Sequence, residues 1–197
     1  MQKLAPHPSP SLELEQYMTP GDVAATLLHL AYIRGSIEDK VVYDLGCGTG
    51  RLAIGAALLG AKETVGVDID QKALEVAEQN ARRAGVSVRW IKRNVEKLEA
   101  SGVDTVIQNP PFGVWRKGAD MIFLHKALEL ANEVYSLHKS TPQNREFIAK
   151  RVKEIGGRIT DTVKLKFQIP RQFDFHTHDM YRIEVDLYRI EGGDRNG

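Results

Sequence analysis

Two short segments carry residue types that could perform group transfer. The first is Gln108-Asn109-Pro110-Pro111-Phe112-Gly113. Two consecutive prolines fix φ and carry no N–H, so such a loop is rigid and its carbonyls face outward unpaired. The Asn109 side-chain oxygen and the Pro110 carbonyl can then accept both hydrogens of one planar NH2 group, while Phe112 stacks on the flat ring that carries it. Polarisation by two acceptors, with alignment, makes that nitrogen a nucleophile without a dedicated base. Read alone, Pro-Pro after a strand is a common structural turn. Its neighbours in the fold decide its meaning.

The second segment is Asp44-Leu45-Gly46-Cys47-Gly48-Thr49-Gly50. Glycines let a turn tighten and a ligand approach the backbone, and the helix that follows offers its N-terminal amides. A dinucleotide pyrophosphate calls for G-x-G-x-x-G, whereas the spacing here is G-x-G-x-G with an acid two residues before it. That points away from a nicotinamide cofactor. Asp44 suits a positively charged ligand group. Asp68, 24 residues further on, is placed to grip a ribose diol by two hydrogen bonds. S-adenosylmethionine has both features and brings a reactive methyl group. Asn94 can meet an adenine edge, with plain loop capping as the alternative.

These residues work together only if they stand at the carboxyl ends of neighbouring strands. The pattern predicts strands at 41–46, 64–68, 86–91, 103–108, 134–139, about 159–169 and 181–190. Helices are predicted at 22–33 with Asp22 as its cap, and at 52–59, 73–84, 119–132 and 144–155. Strands alternating with helices imply a doubly wound, mostly parallel seven-stranded α/β sheet, and the two consecutive closing strands imply an antiparallel edge hairpin. Residues 1–20 hold four of the eight prolines and read as an arm, 21–191 as one domain, and 192–197 as a tail.

Composition fits this reading. A chain of 197 residues with 42% hydrophobic and 27% charged residues is sized and composed for one globular domain. No apolar stretch approaches the roughly 18 residues of a membrane span, and the first residues lack a signal-peptide core, so a cytoplasmic protein is expected. The single cysteine, Cys47, excludes an internal disulfide and a cysteine-cluster zinc site, and no bound metal is expected. Net charge is +1, yet residues 139–171 hold nine basic and three acidic residues. Lys139, Lys150, Arg151, Lys164 and Lys166 from this segment are candidate RNA contacts, with a solvated helix face as the alternative. Trp115, Arg116 and Lys117 follow the acceptor loop and could gate or bind substrate. Arg171, Phe173 and Phe175 could line an RNA path, and His176 with His178 is a weak metal suggestion.

With these residues in view, D-L-G-C-G-T-G and N-P-P-F-G resemble the class I S-adenosylmethionine-dependent amino-methyltransferases, and more closely the methyltransferase-like protein 5 family. The likeness runs through Leu14-Glu15-Gln16-Tyr17, Lys40 to Gly50, Val65 to Asp70, Asp104 to Gly113, Val134 to Ser140 and Ile183 to Leu187. The resemblance implies N6-methylation of one adenosine in small-subunit ribosomal RNA, with a small zinc-ribbon activator pairing along the sheet edge. It implies that Gln16 and Thr19 of the arm fold over the cofactor beside Gly46, Thr49, Arg51, Asp68, Asn94 and Val95; Tyr17, Asp44, Gly48 and Gly50 are further candidate cofactor contacts. It also implies that Asn109, Pro110, Pro111 and Phe112 form the catalytic loop. Two departures stand out: Met18 replaces the Pro of the family's Q-Y-P-T stretch, and Asn94 replaces an Asp.

Other assignments compete. Glutamine of a release factor also presents a planar amide to an N-P-P-Y loop, although Phe112 favours a base and the N-terminal helical domain usual in those enzymes is missing. Sequence-specific DNA methylation would need a target-recognition domain that 197 residues do not hold. A scaffold that binds the cofactor to hold a partner is the reading from another class.

Overall fold

The computed structural model describes residues 4–11, 14–113, 116–170 and 180–192. Trp115, Arg171, Phe173, Phe175, His176 and His178, for which roles were expected above, and the tail beyond residue 192 lie outside them. Among the described residues seven strands make one sheet: β1 (Val41–Leu45), β2 (Glu63–Asp68), β3 (Arg89–Lys92), β4 (Thr105–Gln108), β5 (Glu133–Lys139), β6 (Gly157–Pro170) and β7 (Met180–Gly192). Their order is β3-β2-β1-β4-β5-β7-β6. The first five are parallel, while β7 runs antiparallel between β5 and β6. The closing hairpin therefore adds its second strand to the sheet first, and β6 becomes the edge.

Five helices cover the two faces: α1 (Gly21–Ile33), α2 (Arg51–Leu58), α3 (Gln71–Ala84), α4 (Ala119–Leu130) and α5 (Pro142–Glu154). Strand alternation sorts the core. Val42, Ile107, Tyr135 and Leu187 pack under α1 and α2, whereas Tyr43, Leu45, Val106, Val134 and Ile190 pack under α4 and α5. The expected Asp22 cap is corrected: Pro20 is the cap residue, and Asp22 sits inside the first turn, where its charge still favours the helix dipole. The third strand begins at Arg89, later than expected, and α4 stops at Leu130.

Trp90 of β3 explains two glycines. A Cβ on Gly66 would lie 2.3 Å from its ring, and one on Gly50 would lie 2.6 Å from it at a φ of +86°. The ring thus lies on the backbone of β2 and wedges the Gly50 turn. Gly66→Ala should lower stability by about 1–3 kcal/mol through overpacking, read as a fall of several degrees in Tm. An unchanged Tm would mean the ring is not held there.

Candidate active site

Chain order reverses between β1 and β4, so the strand ends diverge there and leave a crevice. A cleft of about 200 Å³ opens at this point. It gathers Asp44, Gly46, Gly48 and Thr49 from the loop after β1, Arg51 from α2, Asp68 from the end of β2, Asn94 and Val95 after β3, and Asn109 and Pro111 after β4. The arm closes one side through Gln16, Tyr17 and Thr19.

Two buried carboxylates face this cleft. Asp68, 8% exposed, accepts from the Gly48 amide (2.7 Å) and the Asp70 amide (2.9 Å). The Ile69 amide also donates to this carboxylate, which still keeps lone-pair capacity for a ligand. Burial pushes its carboxyl above the usual range, with those backbone donors opposing. Asp44 accepts from the Ala53 amide at 2.9 Å. Burial first, then the neighbouring Asp68 charge, lift its carboxyl to about 8, against the pull of the Ala53 amide. Two acids held at such cost in one cleft await a cation and hydrogen-bond donors. Arg51 adds a buried Nε with no hydrogen-bond partner.

The arm is tied to both halves of the site. Asn80 of α3 exchanges hydrogen bonds with Ala5, and Asp70 accepts from Gln16 (2.8 Å) and pairs with His7 (3.0 Å). On the other side Glu15, in a left-handed conformation (φ 49°), accepts from the Phe112 amide at 2.6 Å. Thr19 Oγ1 accepts from Asn109 Nδ2 at 3.0 Å. That bond uses the Asn109 amide nitrogen and leaves Asn109 Oδ1 buried without a partner. A buried, unpaired acceptor is costly and is satisfied by an incoming N–H donor.

Several expected residues have other surroundings. The Phe112 ring does not line the cleft; it packs edge-on to Phe167 of β6, centroids 5.9 Å apart, because the hairpin runs past the end of β5 to meet it. Pro110 is buried, and Gly50 lies behind the loop against Trp90. Asn94 caps the turn at Val95–Lys97 by accepting from the Glu96 amide (2.9 Å) while also lining the cleft. Gln16 spends its side chain on Asp70 and the Ser11 amide. Arg116 and Lys117 are exposed, and Arg116 lines the cleft mouth near Glu96 (3.6 Å). Lys139, Lys150, Arg151, Lys164 and Lys166 are exposed on β5, α5 and β6, away from the cleft. Sequence reasoning missed the lining residues Ile69, Phe123 and His7. Ile69 alone had a signal, a large apolar residue after an acidic strand end that stays 49% exposed.

The comparisons agree with this geometry. A family model for ribosomal protein L11 methyltransferase matches residues 21–110. The Drosophila melanogaster rRNA N(6)-adenosine-methyltransferase Mettl5 is 40% identical over 192 residues, covering 93% of this chain and 89% of that protein. The Danio rerio METTL5 protein is 36% identical over 188 residues, covering 92% and 90%. A crystal structure of a proposed RNA methyltransferase from Pyrococcus horikoshii superposes with a TM-score of 0.92 at 45% identity, covering 98% of this chain and 94% of that one. By sequence, sheet order and the crevice between β1 and β4, the chain belongs to the METTL5 family of S-adenosylmethionine-dependent rRNA N(6)-adenosine-methyltransferases.

Proposed function

We propose that this protein methylates the N6 amine of one adenosine in small-subunit ribosomal RNA. The observation that carries the reading is Asn109 Oδ1, buried and without a partner at the edge of a cleft whose acids suit a cationic nucleoside. S-adenosylmethionine supplies the electrophilic methyl group. Asp68 would hold its ribose diol, Asp44 its ammonium group and Arg51 its carboxylate. Gly46, Gly48 and Thr49 line the same loop, while Asn94, Val95, Gln16 and Tyr17 border the adenine end. Asn109 Oδ1 and the Pro110 carbonyl accept the two N6 hydrogens and aim the nitrogen lone pair at the methyl carbon. Transfer would form a nitrogen–carbon bond as the carbon–sulfur bond of the bound cofactor breaks, with one N6 proton leaving to solvent. The target adenine must be unstacked to enter. Swinging off Phe167, or receiving the base on its free face, Phe112 would stack on it.

The chain is proposed to act in the cytoplasm as an arm (1–20), one catalytic domain (21–191) and a tail (192–197), with a zinc-ribbon activator pairing along an exposed sheet edge, β3 or β6. Labelled methyl transfer to unmodified small- and large-subunit rRNA, with and without such an activator and followed by nucleoside mass spectrometry, tests the reading. N6-methyladenosine in small-subunit RNA alone is expected. Label in a release factor and in no RNA would overturn the substrate.

The candidate RNA contacts divide by pairing. Lys150 and Arg151 share Glu154 (4.0 and 2.7 Å), and Lys164 pairs with Glu184 (2.8 Å). Lys117, Lys139 and Lys166 are exposed and carry no ion pair among the described residues. Reversing Lys117 and Lys139 should therefore weaken RNA binding and reduce the salt slope by about 1–2 units. Reversing Lys150 and Arg151 should do less. Equal slopes for both pairs of reversals would place the contact on α5 as well.

Cofactor affinity should depend on Asp44. Its folded pKa lies above the ordinary 3.8, so the neutral carboxyl is favoured by folding, and the free protein loses stability as pH rises from about 4 through 8. A bound cation reverses that preference. Affinity should climb by up to about tenfold per unit between pH 6 and 7.5, then level as the ligand's own amine, of pKa about 8, deprotonates. Calorimetric titration should show that climb, and Asp44→Asn should flatten it. A wild-type profile already flat over this range would remove Asp44 from the ammonium.

A further inference from the structure

Three buried polar side chains lie under the start of α4 and have no part in cofactor or acceptor binding. Gln108 of β4 and Ser136 of β5 are register partners, and His138 lies two residues on, on the same face. Gln108 Nε2 donates to Ser136 Oγ at 2.9 Å, and Ser136 Oγ lies 2.8 Å from His138 Nε2. All three are fully buried. Across from them Asp120, in the first turn of α4, places Oδ2 3.6 Å from His138 Nδ1, which has no hydrogen-bond partner.

Ser136 Oγ accepts from Gln108 and keeps both its own proton and a second lone pair, so it can meet His138 Nε2 in either ring tautomer. A carboxylate on Asp120 only accepts, so a hydrogen bond there calls for a proton on His138 Nδ1. The gap there is within about 1 Å of hydrogen-bond length. The ends of this chain bracket the acceptor loop. Gln108 immediately precedes Asn109, and Asp120 Oδ1 sits 3.7 Å from where a Cβ on Gly113 would be, beneath the far side of the same loop. The remaining charged and titratable neighbours of His138 are Asp186 and Tyr188 of β7, with Arg145 of α5 engaged on Asp186 at 2.7 Å.

We propose that Asp120 and His138, acting through Ser136 and Gln108, hold the start of α4 against the end of β4 and so set the position of Asn109 for the acceptor amine. Asp120 and His138 are positioning residues, in contact at 3.6 Å between Oδ2 and Nδ1. This rests on the acceptor role proposed for Asn109.

Two measurements test it. Long-range 1H–15N spectra of the imidazole in the wild-type protein report the tautomer without any RNA, and the Nδ1–H form is expected; an Nε2–H ring overturns the network whatever the substrate proves to be. Asp120→Asn, close in shape and 13% exposed at its side chain, is expected to lower kcat on rRNA by about tenfold to 10²-fold. S-adenosylmethionine affinity and Tm should stay at wild-type values. Ser136→Ala added to it should cost little more, because both act through one chain. Wild-type kcat in Asp120→Asn, additive losses in the pair, or a kcat loss that follows Tm would each overturn the proposal. A wild-type protein inactive on every RNA, with the Nδ1–H tautomer present, would instead overturn the substrate and leave the network standing.

Discussion

Asn109→Ala should lower methyl transfer to ribosomal RNA by about 10²–10³-fold, the scale seen when one preorganised polar group is removed from a reacting centre. The size follows from what Asn109 has spent and what it has kept. Its Nδ2 is committed to Thr19 Oγ1, and that fixes which end of the amide faces the cleft. Its Oδ1 is buried and unpaired, so an acceptor stands ready before substrate arrives and needs no reorganisation when it does. Alanine removes that acceptor and leaves the Pro110 carbonyl alone to orient the amine. Cofactor affinity should change less than about threefold, because the groups assigned to the cofactor are anchored elsewhere: Asp68 by the Gly48 and Asp70 amides, Asp44 by the Ala53 amide. Equilibrium binding and single-turnover transfer separate the two quantities. A parallel loss of both would make Asn109 a structural residue of the cleft wall and would remove the main support for the acceptor assignment.

The residues named in that argument were unequally legible. The loops after β1 and β4 could be placed from sequence because β-branched runs such as Val41-Val42 and Val106-Ile107 end abruptly in glycine or proline, and strand ends are where ligands bind. The antiparallel hairpin was legible too, as two long strands with no helix between them. Which of the pair would join β5 was not: either strand of a hairpin can pair with a sheet edge, and the choice is made by packing. That choice brings Phe167 onto Phe112 and turns its ring away from the cleft. The bonds that organise the site, Thr19 to Asn109 and Glu15 to Phe112, span 90 and 97 residues and follow no local period. The resemblance indicated that the arm covers the cofactor, yet nothing in the spacing of Glu15 and Thr19 shows that it also holds the acceptor loop. The buried Gln108–Ser136–His138 row is not legible in the sequence for a related reason. In sequence these are ordinary strand residues, and only the register of β4 against β5 sets them side by side.

Asp68→Ala should weaken S-adenosylmethionine binding by about 10²-fold, the equivalent of about 2.7 kcal/mol and in keeping with the loss of charge-assisted hydrogen bonds to a diol. The residue has a second task that the same substitution disturbs. Asp68 accepts from the Gly48 and Asp70 amides, so alanine strips a partner from the loop after β1 and from the start of α3, and Tm should fall with affinity. A weakened loop could by itself bind cofactor poorly, and loss of affinity alone therefore does not locate the diol. An analogue lacking the ribose hydroxyls resolves this. Wild-type protein should bind S-adenosylmethionine well in preference to the dideoxy analogue, whereas Asp68→Ala should bind the two about equally, since the hydroxyls then have no carboxylate to meet. Asp68→Asn, which keeps one acceptor oxygen, should fall between. If the alanine variant discriminated as strongly as the wild type, the diol would be held by another residue, and the raised carboxyl of Asp68 would belong to the architecture of the loop instead of to its ligand.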